Sequence, residues 1–198
     1  MICTGINSAL FGGYDLAPAF AETAAAGAAG IELCANAHLA GHFLPNEQPA
    51  VVREAARLAA STGLRILSIE QFTIDRQLMR ATFVAAADLG VPAVSYHPKG
   101  SRMDDAASFA EVAAFLRDMH AAGDRLGVRL CLRAHLDECV WNTSTTLRML
   151  AAVPGLAIDF DPSHLHRAGE NVSTALDAVL PHLFQAHIRD CTGRQRQP

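Results

Sequence analysis

The sequence is poor in lysine and lacks any long apolar run. Lys99 is the only lysine among 198 residues, and the formal net charge is −4. Such a chain has no positive field that could hold a phosphate backbone, which argues against nucleic acid as a partner. No apolar segment approaches the roughly 20 residues that cross a bilayer, and the first residues lack the basic stretch of a signal peptide. We therefore expect no membrane partner.

The cysteines do not form the pairs that a disulfide framework or a structural zinc site would require. There are five of them, an odd number, and no two are spaced as CxxC. Cys3, Cys34 and Cys131 lie in apolar runs, where a thiol behaves as a small buried hydrophobe. We therefore expect a reducing, cytoplasmic location.

Seven short apolar runs alternate with six Ala-rich segments of helical period. Each run has the length of a strand that is buried on both faces. Each intervening segment carries apolar residues at i, i+3, i+4 and i+7, which is typical of a helix with one buried face. Strict alternation of this kind predicts a parallel sheet with helical crossovers. The runs occupy residues 2–6, 30–34, 65–69, 92–97, 128–132, 156–160 and 183–188.

The chain also lacks a glycine-rich phosphate loop. A dinucleotide-binding or P-loop fold would place GxGxxG or GxxxxGK after an early strand, whereas residues 7–15 read NSALFGGYD. This favours an α/β fold of the (β/α)8 TIM-barrel type over a doubly wound sheet. Only seven strands are predicted, so we expect the barrel to be incomplete, with strand 8 missing. We expect one domain over residues 1–190 and a polar tail over residues 191–198.

Polar residues gather where the predicted strands end. Active sites of barrel enzymes are built at the carboxyl ends of the strands, and histidines at five strand ends are hard to explain by turn chemistry alone. Asp161 has two interpretations, because an acid before Pro162 can cap a turn or can face a ligand together with His164. The polar residues at strand ends are Asn7, Glu32, His38, Glu70, His97, Arg133, His135, Asp161, His164, His187 and Asp190.

Four segments resemble one known family in their order and spacing. They are AETAAAGAAGIEL (21–33), GVRLCLR (127–133), DFDPSHLHRAG (159–169) and FQAHIRD (184–190). They are similar to helix 1 with strand 2, strand 5, the D-x-x-H signature of strand 6 and the H-x-K-D signature of strand 7 in the xylose-isomerase-like TIM barrels. That group includes sugar phosphate isomerases and epimerases, inosose dehydratases and endonuclease-IV-like proteins.

The resemblance implies one divalent ion, Mn²⁺, Mg²⁺, Co²⁺ or Zn²⁺, held at the ends of strands 5 to 8. The ion polarises substrate oxygens while carboxylates move a proton through an enediolate. Asp161 and His187 match ligand positions of the family, and His164 matches a position that contacts substrate. The strand 5 ligand position is Arg133, which is always cationic. His135, two residues later, can serve as the ligand instead.

Three further residues at strand ends are expected to bind substrate. They are His97, Glu32 and Arg133, whose guanidinium can hold a phosphate or a carboxylate. No residue is assigned as the catalytic acid or base.

Two functions remain open from the sequence. The first is a metal-dependent isomerase or epimerase, or a dehydratase, that acts on a sugar or a cyclitol-like polyol through an enediolate-type proton transfer. The second is a catalytically degenerate barrel that binds a small anionic ligand through Arg133 and His97. An open barrel would leave strands 1 and 7 with unpaired edges, so we also expect a homo-oligomer that covers the gap.

Overall fold

The computed structural model describes residues 2–191, so most of the predicted polar tail (191–198) lies outside the described residues. Seven strands form one parallel sheet in the order in which they occur in the chain, which confirms the predicted α/β fold of the TIM-barrel type. No eighth strand occurs between residues 2 and 191. The strands are β1 (Gly5–Asn7), β2 (Gly30–Cys34), β3 (Arg65–Gln71), β4 (Ala93–Tyr96), β5 (Arg129–Leu132), β6 (Ala157–Phe160) and β7 (Leu183–Ala186).

Residues 2–191 contain seven α-helices, one more than the sequence pattern predicts, because two helices lie between β6 and β7. Short 3-10 turns follow β1 and precede β7. The helices are α1 (Leu16–Ala25), α2 (Ala50–Thr62), α3 (Arg76–Asp88), α4 (Ala106–Arg125), α5 (Thr143–Ala152), α6 (Pro162–Arg167) and α7 (Val172–Val179).

Helix α6 follows β6 directly and lies outside the six predicted helical segments. Asp161 is its N-cap, and the Asp161 carboxylate accepts a hydrogen bond of 3.0 Å from the backbone N–H of Ser163. Pro162 stands at the first helical position, where its missing N–H costs nothing. The capping role considered for Asp161 is therefore present, and the D-P-S sequence was the signal for it.

The contacts within the chain divide it into two compact units. Each unit is assembled from separate stretches of sequence. The first unit covers the chain up to Gln71, with Gln77–Val94 and Ala122–Val128. The second unit covers Phe72–Arg76, Ser95–Ala121 and the chain from Arg129 onward.

In the first unit, β1 and β2 meet through two glycines. Gly5 pairs with Gly30, and the Leu67 side chain fills the space that a methyl group on either glycine would need. A Cβ on Gly30 would lie 2.6 Å from the Arg65 carbonyl oxygen and 2.6 Å from Leu67 Cγ. Only glycine at positions 5 and 30 therefore allows β1, β2 and the Leu67 side chain to pack this closely. The largest fully buried side chains of this unit include Phe20, Ile31, Leu33, Phe43, Ile69 and Phe83.

In the second unit, apolar residues of β5, β6 and β7 pair across the sheet. Leu132 pairs with Ile158, and Ile158 pairs with Leu183. Tyr96 stacks on Phe115 of α4, with ring centroids 5.5 Å apart. This packing supports the strand ends that carry the polar residues described below.

Within the described part of the chain, no helix is both long enough and apolar enough to cross a membrane.

Gly30→Ala tests the close approach in the first unit. The added methyl group would clash with a backbone oxygen, which cannot rotate away as a side chain can, so we expect the free energy of unfolding to fall by about 1–3 kcal/mol. Urea unfolding followed by circular dichroism measures the change. A loss below about 0.5 kcal/mol would contradict the packing described for Gly30.

Candidate functional site

Four aromatic rings stack in a row within the second unit. Phe72 follows β3, and its ring centroid is 4.3 Å from that of His97, which follows β4. The His97 ring stacks on His135 at 4.4 Å, and His135 lies 4.0 Å from His164. The structure therefore brings together three of the histidines singled out from the sequence. His97 and His164 are buried, and His135 is the partly exposed member of the row.

The loop after β5 positions two side chains of this cluster. The backbone N–H of His135 donates to the carbonyl of Val140 at 2.9 Å, and that of Glu138 donates to the carbonyl of His135 at 3.3 Å. Between them Asp137 has a φ of 68°, a left-handed conformation that Asp tolerates better than most residues. The tight turn places the His135 imidazole and the Glu138 carboxylate near each other, with His135 Nδ1 3.7 Å from Glu138 Oε1.

Glu138 also contacts His97. His97 Nδ1 lies 2.9 Å from Oε1 and 3.1 Å from Oε2 of the carboxylate, and both side chains are buried. Burial raises the pKa of Glu138 to about 8, although the positive charges of Arg133 and Lys99 act in the opposite direction. The two residues therefore share a proton at neutral pH instead of forming a fully charged ion pair.

The three stacked imidazoles are held in their neutral form. Burial lowers the pKa of His97 well below its usual range, and the neighbouring Arg133 charge lowers it further. Burial likewise lowers the pKa of His135, and it lowers that of His164 to about 2 with help from His135 and Arg189. A neutral imidazole keeps one nitrogen lone pair, which it can offer to a proton or a metal ion.

His164 carries a hydrogen-bond donor that nothing satisfies among the described residues. Its Nε2 contacts the Arg189 guanidinium, which can only donate. The proton of the neutral ring must then be on Nδ1, and Nδ1 is buried and has no partner in the described part of the chain. Leaving a buried N–H without an acceptor costs about 1–3 kcal/mol. Such a donor is a candidate for binding an oxygen of a ligand.

Arg133 is compensated by two residues at the ends of β6 and β7. Its NH1 lies 2.8 Å from His187 Nδ1 and 3.7 Å from a carboxylate oxygen of Asp159, and His187 Nδ1 lies 2.8 Å from that same oxygen. Ser95 donates a further hydrogen bond to Asp159. Burial alone would raise the pKa of Asp159, but His187, Arg133 and Ser95 together lower it, so the carboxylate is anionic.

Asp161 is paired with a second arginine. Arg189 NH2 lies 3.0 Å from a carboxylate oxygen of Asp161, and Ser163 donates to the other oxygen at 2.6 Å. Arg189 also donates to the Ser163 hydroxyl at 2.8 Å. His164 Nε2 is 3.6 Å from Asp161, too far for a hydrogen bond.

Glu32 belongs to the first unit. Its Oε1 accepts a hydrogen bond of 2.6 Å from Ser68, and its Oε2 accepts one of 2.7 Å from Asn7. Asn7 also donates to Glu70 at 3.0 Å, so one amide bridges two buried carboxylates. The assignment of Glu32 to substrate binding stays a prediction.

The family positions for a metal do not suit a cation in this chain. Arg133 takes the position of a carboxylate ligand, Arg189 occupies an oxygen of Asp161, and His187 Nδ1 is engaged by Asp159 and Arg133. A guanidinium repels a divalent ion. The predicted ligand set of Asp161, His187 and His135 stays a prediction. In the structure Asp161 contacts Arg189, and His187 contacts Arg133 and Asp159. His135 contacts the Leu136 carbonyl.

A second set of donors does suit a divalent ion. His97, His135 and Glu138 each offer one ligand atom, and these atoms all lie within 4.8 Å of one another. Two imidazoles and a carboxylate form a common ligand set for Zn²⁺ and related ions.

Sequence reasoning missed Glu138 and Asp159. The H-x-x-E spacing of His135 and Glu138 was visible, but the family comparison drew attention to Arg133 instead. Asp159 was also visible as an acid inside the apolar run of β6, which indicates a buried charge with a partner.

The chain belongs to the xylose isomerase-like TIM barrel family, whose sequence profile matches residues 20–197. A search of curated protein sequences gave no match. Three solved structures with the same fold are a D-tagatose 3-epimerase-like protein, the probable 3-DHS dehydratase AsbF of Bacillus anthracis, and a xylose isomerase-like TIM barrel protein of Mycobacterium smegmatis in complex with magnesium.

These three structures share the fold at low sequence identity. The TM-scores are 0.83, 0.79 and 0.76, and the identities are 14%, 15% and 16%, in that order. The alignments cover 98%, 98% and 94% of this chain and 78%, 75% and 74% of the other chains.

The neutral histidines predict that the protein loses stability in mild acid. Each histidine whose pKa is lowered takes up a proton on unfolding below about pH 6.5, so the free energy of unfolding falls as the pH falls. Glu138 acts in the opposite sense between about pH 4.5 and 8, because its pKa is raised in the folded state. Each group contributes at most about 1.4 kcal/mol per pH unit.

Urea unfolding of the EDTA-treated protein from pH 7.5 to 5.5 measures this loss. The slope of the unfolding free energy against pH gives the number of protons taken up on unfolding. His164→Leu should lower that number by up to one. His166→Leu, at an exposed position on the same helix, should leave it unchanged. Equal slopes in the wild type and His164→Leu would contradict a neutral buried His164.

Asp159→Asn should leave the buried Arg133 charge without its counter-ion. We expect the free energy of unfolding to fall by about 3–5 kcal/mol, the range for breaking a buried ion pair. The double variant Arg133→Met/Asp159→Asn should recover part of that loss, whereas Asp177→Asn at an exposed position should change it by less than about 0.5 kcal/mol. If Asp159→Asn changes the free energy of unfolding as little as Asp177→Asn does, Asp159 does not compensate the charge of Arg133.

Proposed function

We propose that this chain is an isomerase or epimerase, or a dehydratase, that acts on a sugar or a cyclitol-like polyol through an enediolate-type proton transfer. Membership of the xylose isomerase-like TIM barrel family supports the proposal, as do fold neighbours described as an epimerase-like protein and a dehydratase. The observation in this chain that carries it is the buried, unsatisfied Nδ1–H of His164, whose ring contacts His135 in the row of imidazoles.

His164 would bind the substrate oxygen on which negative charge develops. When a base removes the proton next to a carbonyl group, the carbonyl oxygen becomes an enediolate oxygen. A neutral N–H without another acceptor strengthens its hydrogen bond to a bound oxygen as that charge grows. Arg189 holds the opposite nitrogen of the ring and so selects the tautomer that donates from Nδ1.

Glu138 would move the proton. Its two carboxylate oxygens lie 2.9 and 3.1 Å from His97 Nδ1, so the residue already exchanges a hydrogen bond with a neighbouring base. Burial removes competing water from the carboxylate and favours transfer to and from a bound substrate. A divalent ion, when bound by His97, His135 and Glu138, supplies Lewis-acid polarisation of the substrate's carbonyl and hydroxyl oxygens.

The binding-protein alternative has less support in the structure. It requires a positive site for an anion, but Arg133 is paired with Asp159 and His187, and His97 is held neutral. The assignment of Arg133 and His97 to substrate binding stays a prediction, as does the expected homo-oligomer.

Proton exchange in heavy water tests the proposed chemistry directly. The full chain, loaded with Zn²⁺, Mn²⁺ or Co²⁺, is incubated in D₂O with D-tagatose, other ketohexoses and keto-cyclitols, and the sugars are followed by ¹H NMR. We expect loss of the signal from the carbon next to the carbonyl group in at least one compound. Absence of exchange in every compound with every metal would refute the proposal.

His164→Leu separates a functional role from a structural one. It removes the unsatisfied donor, and Arg189 keeps Asp161 and Ser163 as acceptors when Nε2 is lost. The free energy of unfolding should therefore stay the same or rise, while the rate of proton exchange should fall by about 100-fold or more. His166→Leu on the same helix is the matched control and should retain the full rate. A variant that loses stability and activity together would indicate that His164 only supports the fold.

A further inference from the structure

We propose that the resident divalent ion of this chain binds to the buried group His97, His135 and Glu138, and not to Asp161 and His187 at the family positions. Only the catalytic role of the ion rests on the proposed function. The binding site itself is argued from the geometry and the charges of the second unit.

The three side chains are already close to a coordinating arrangement. Two ligands at about 2.1 Å from one ion, separated by the tetrahedral angle, lie about 3.4 Å apart. The ligand atoms of the three residues all lie within 4.8 Å of one another. An ion would draw them together by up to about 1.4 Å and would rotate the His97 and His135 rings out of their nearly parallel stack, in which the planes differ by 12°. His97 Nδ1 and Glu138 Oε1, at 2.9 Å, need a proton or a cation between them.

The His135 ring has the tautomer that metal-bound histidines commonly have. Its Nδ1 donates to the carbonyl oxygen of Leu136 at 2.8 Å, which leaves the lone pair on Nε2. Metal-bound histidines commonly donate their other ring N–H to a backbone carbonyl in this way, and the hydrogen bond fixes the tautomer. His135 is also the partly exposed member of the group, so an ion can enter at its side.

The left-handed turn after β5 brings the two ligands of that loop close together. Asp137, which is not glycine, has a φ of 68° between His135 and Glu138. Here the His135–Val140 hydrogen bond closes the loop and holds the turn.

The charges favour this group over the family positions. Arg189 lies 3.0 Å from Asp161, and Arg133 lies 2.8 Å from His187, so a cation there would displace or face a guanidinium. Arg133 and Lys99 also act on Glu138, but the buried Asp159 carboxylate offsets the Arg133 charge.

The ligand set predicts which ion binds. Two imidazoles with one carboxylate suit Zn²⁺ or Co²⁺, whereas Mg²⁺ prefers oxygen ligands in an octahedral shell. Three protein ligands leave at least one position open for water or a substrate oxygen, as in catalytic zinc sites.

Titration of the EDTA-stripped full chain with Co²⁺ tests the site without any substrate. Calorimetry gives the stoichiometry and affinity, and the visible absorption of Co²⁺ reports tetrahedral nitrogen and oxygen ligands. We expect one ion per chain, a weakening of at least 100-fold in Glu138→Gln and in His135→Gln, and no more than a few-fold change in Asp161→Asn and in His187→Gln. Circular dichroism confirms that each variant folds.

His135→Gln is the decisive variant, because His135 is partly exposed and its replacement is expected to fold. Unchanged Co²⁺ affinity in His135→Gln, loss of binding in Asp161→Asn or His187→Gln, or no Co²⁺ binding by the wild type would each overturn the proposal. Binding at the predicted site without proton exchange in any sugar would support the metal site and contradict the proposed function, so the two failures are distinguishable.

Discussion

The permanent charge of Arg133 is the constraint on which the second unit depends. A guanidinium cannot lose its proton, and this one is only 6% exposed at the end of β5. Asp159 and His187 compensate it, and both come from the neighbouring strands β6 and β7. Side chains from β6 and β7 that could otherwise contact a substrate therefore neutralise the charge of Arg133.

Burial also keeps the histidines of the site in their neutral form. His97, His135 and His164 lie so close together that only one of them at most could be protonated without strong repulsion, and burial lowers the pKa of each. A neutral imidazole retains one lone pair and one N–H. The proposed metal site uses the lone pairs of His97 and His135, and the proposed binding of a substrate oxygen uses the N–H of His164. The same arrangement costs stability, since the buried Nδ1–H of His164 has no acceptor among the described residues.

The sequence predicts the fold well because strands buried on both faces leave a clear apolar signal. The predicted run at 30–34 coincides with β2 (Gly30–Cys34), whereas the run at 2–6 begins too early because Ile2 is 92% exposed. The strand-end rule located the histidines of the cluster. It could not locate Glu138, because that residue enters the site through the left-handed turn at Asp137, and a single sequence does not reveal such a turn.

Anomalous X-ray scattering from crystals of the Zn²⁺-loaded protein, measured on both sides of the zinc absorption edge, tests the central claim most directly. The account predicts one strong peak within about 2.3 Å of ligand atoms of His97, His135 and Glu138, with Arg133 still paired to Asp159. A peak coordinated by Asp161 and His187, with Arg133 and Arg189 displaced, would contradict it.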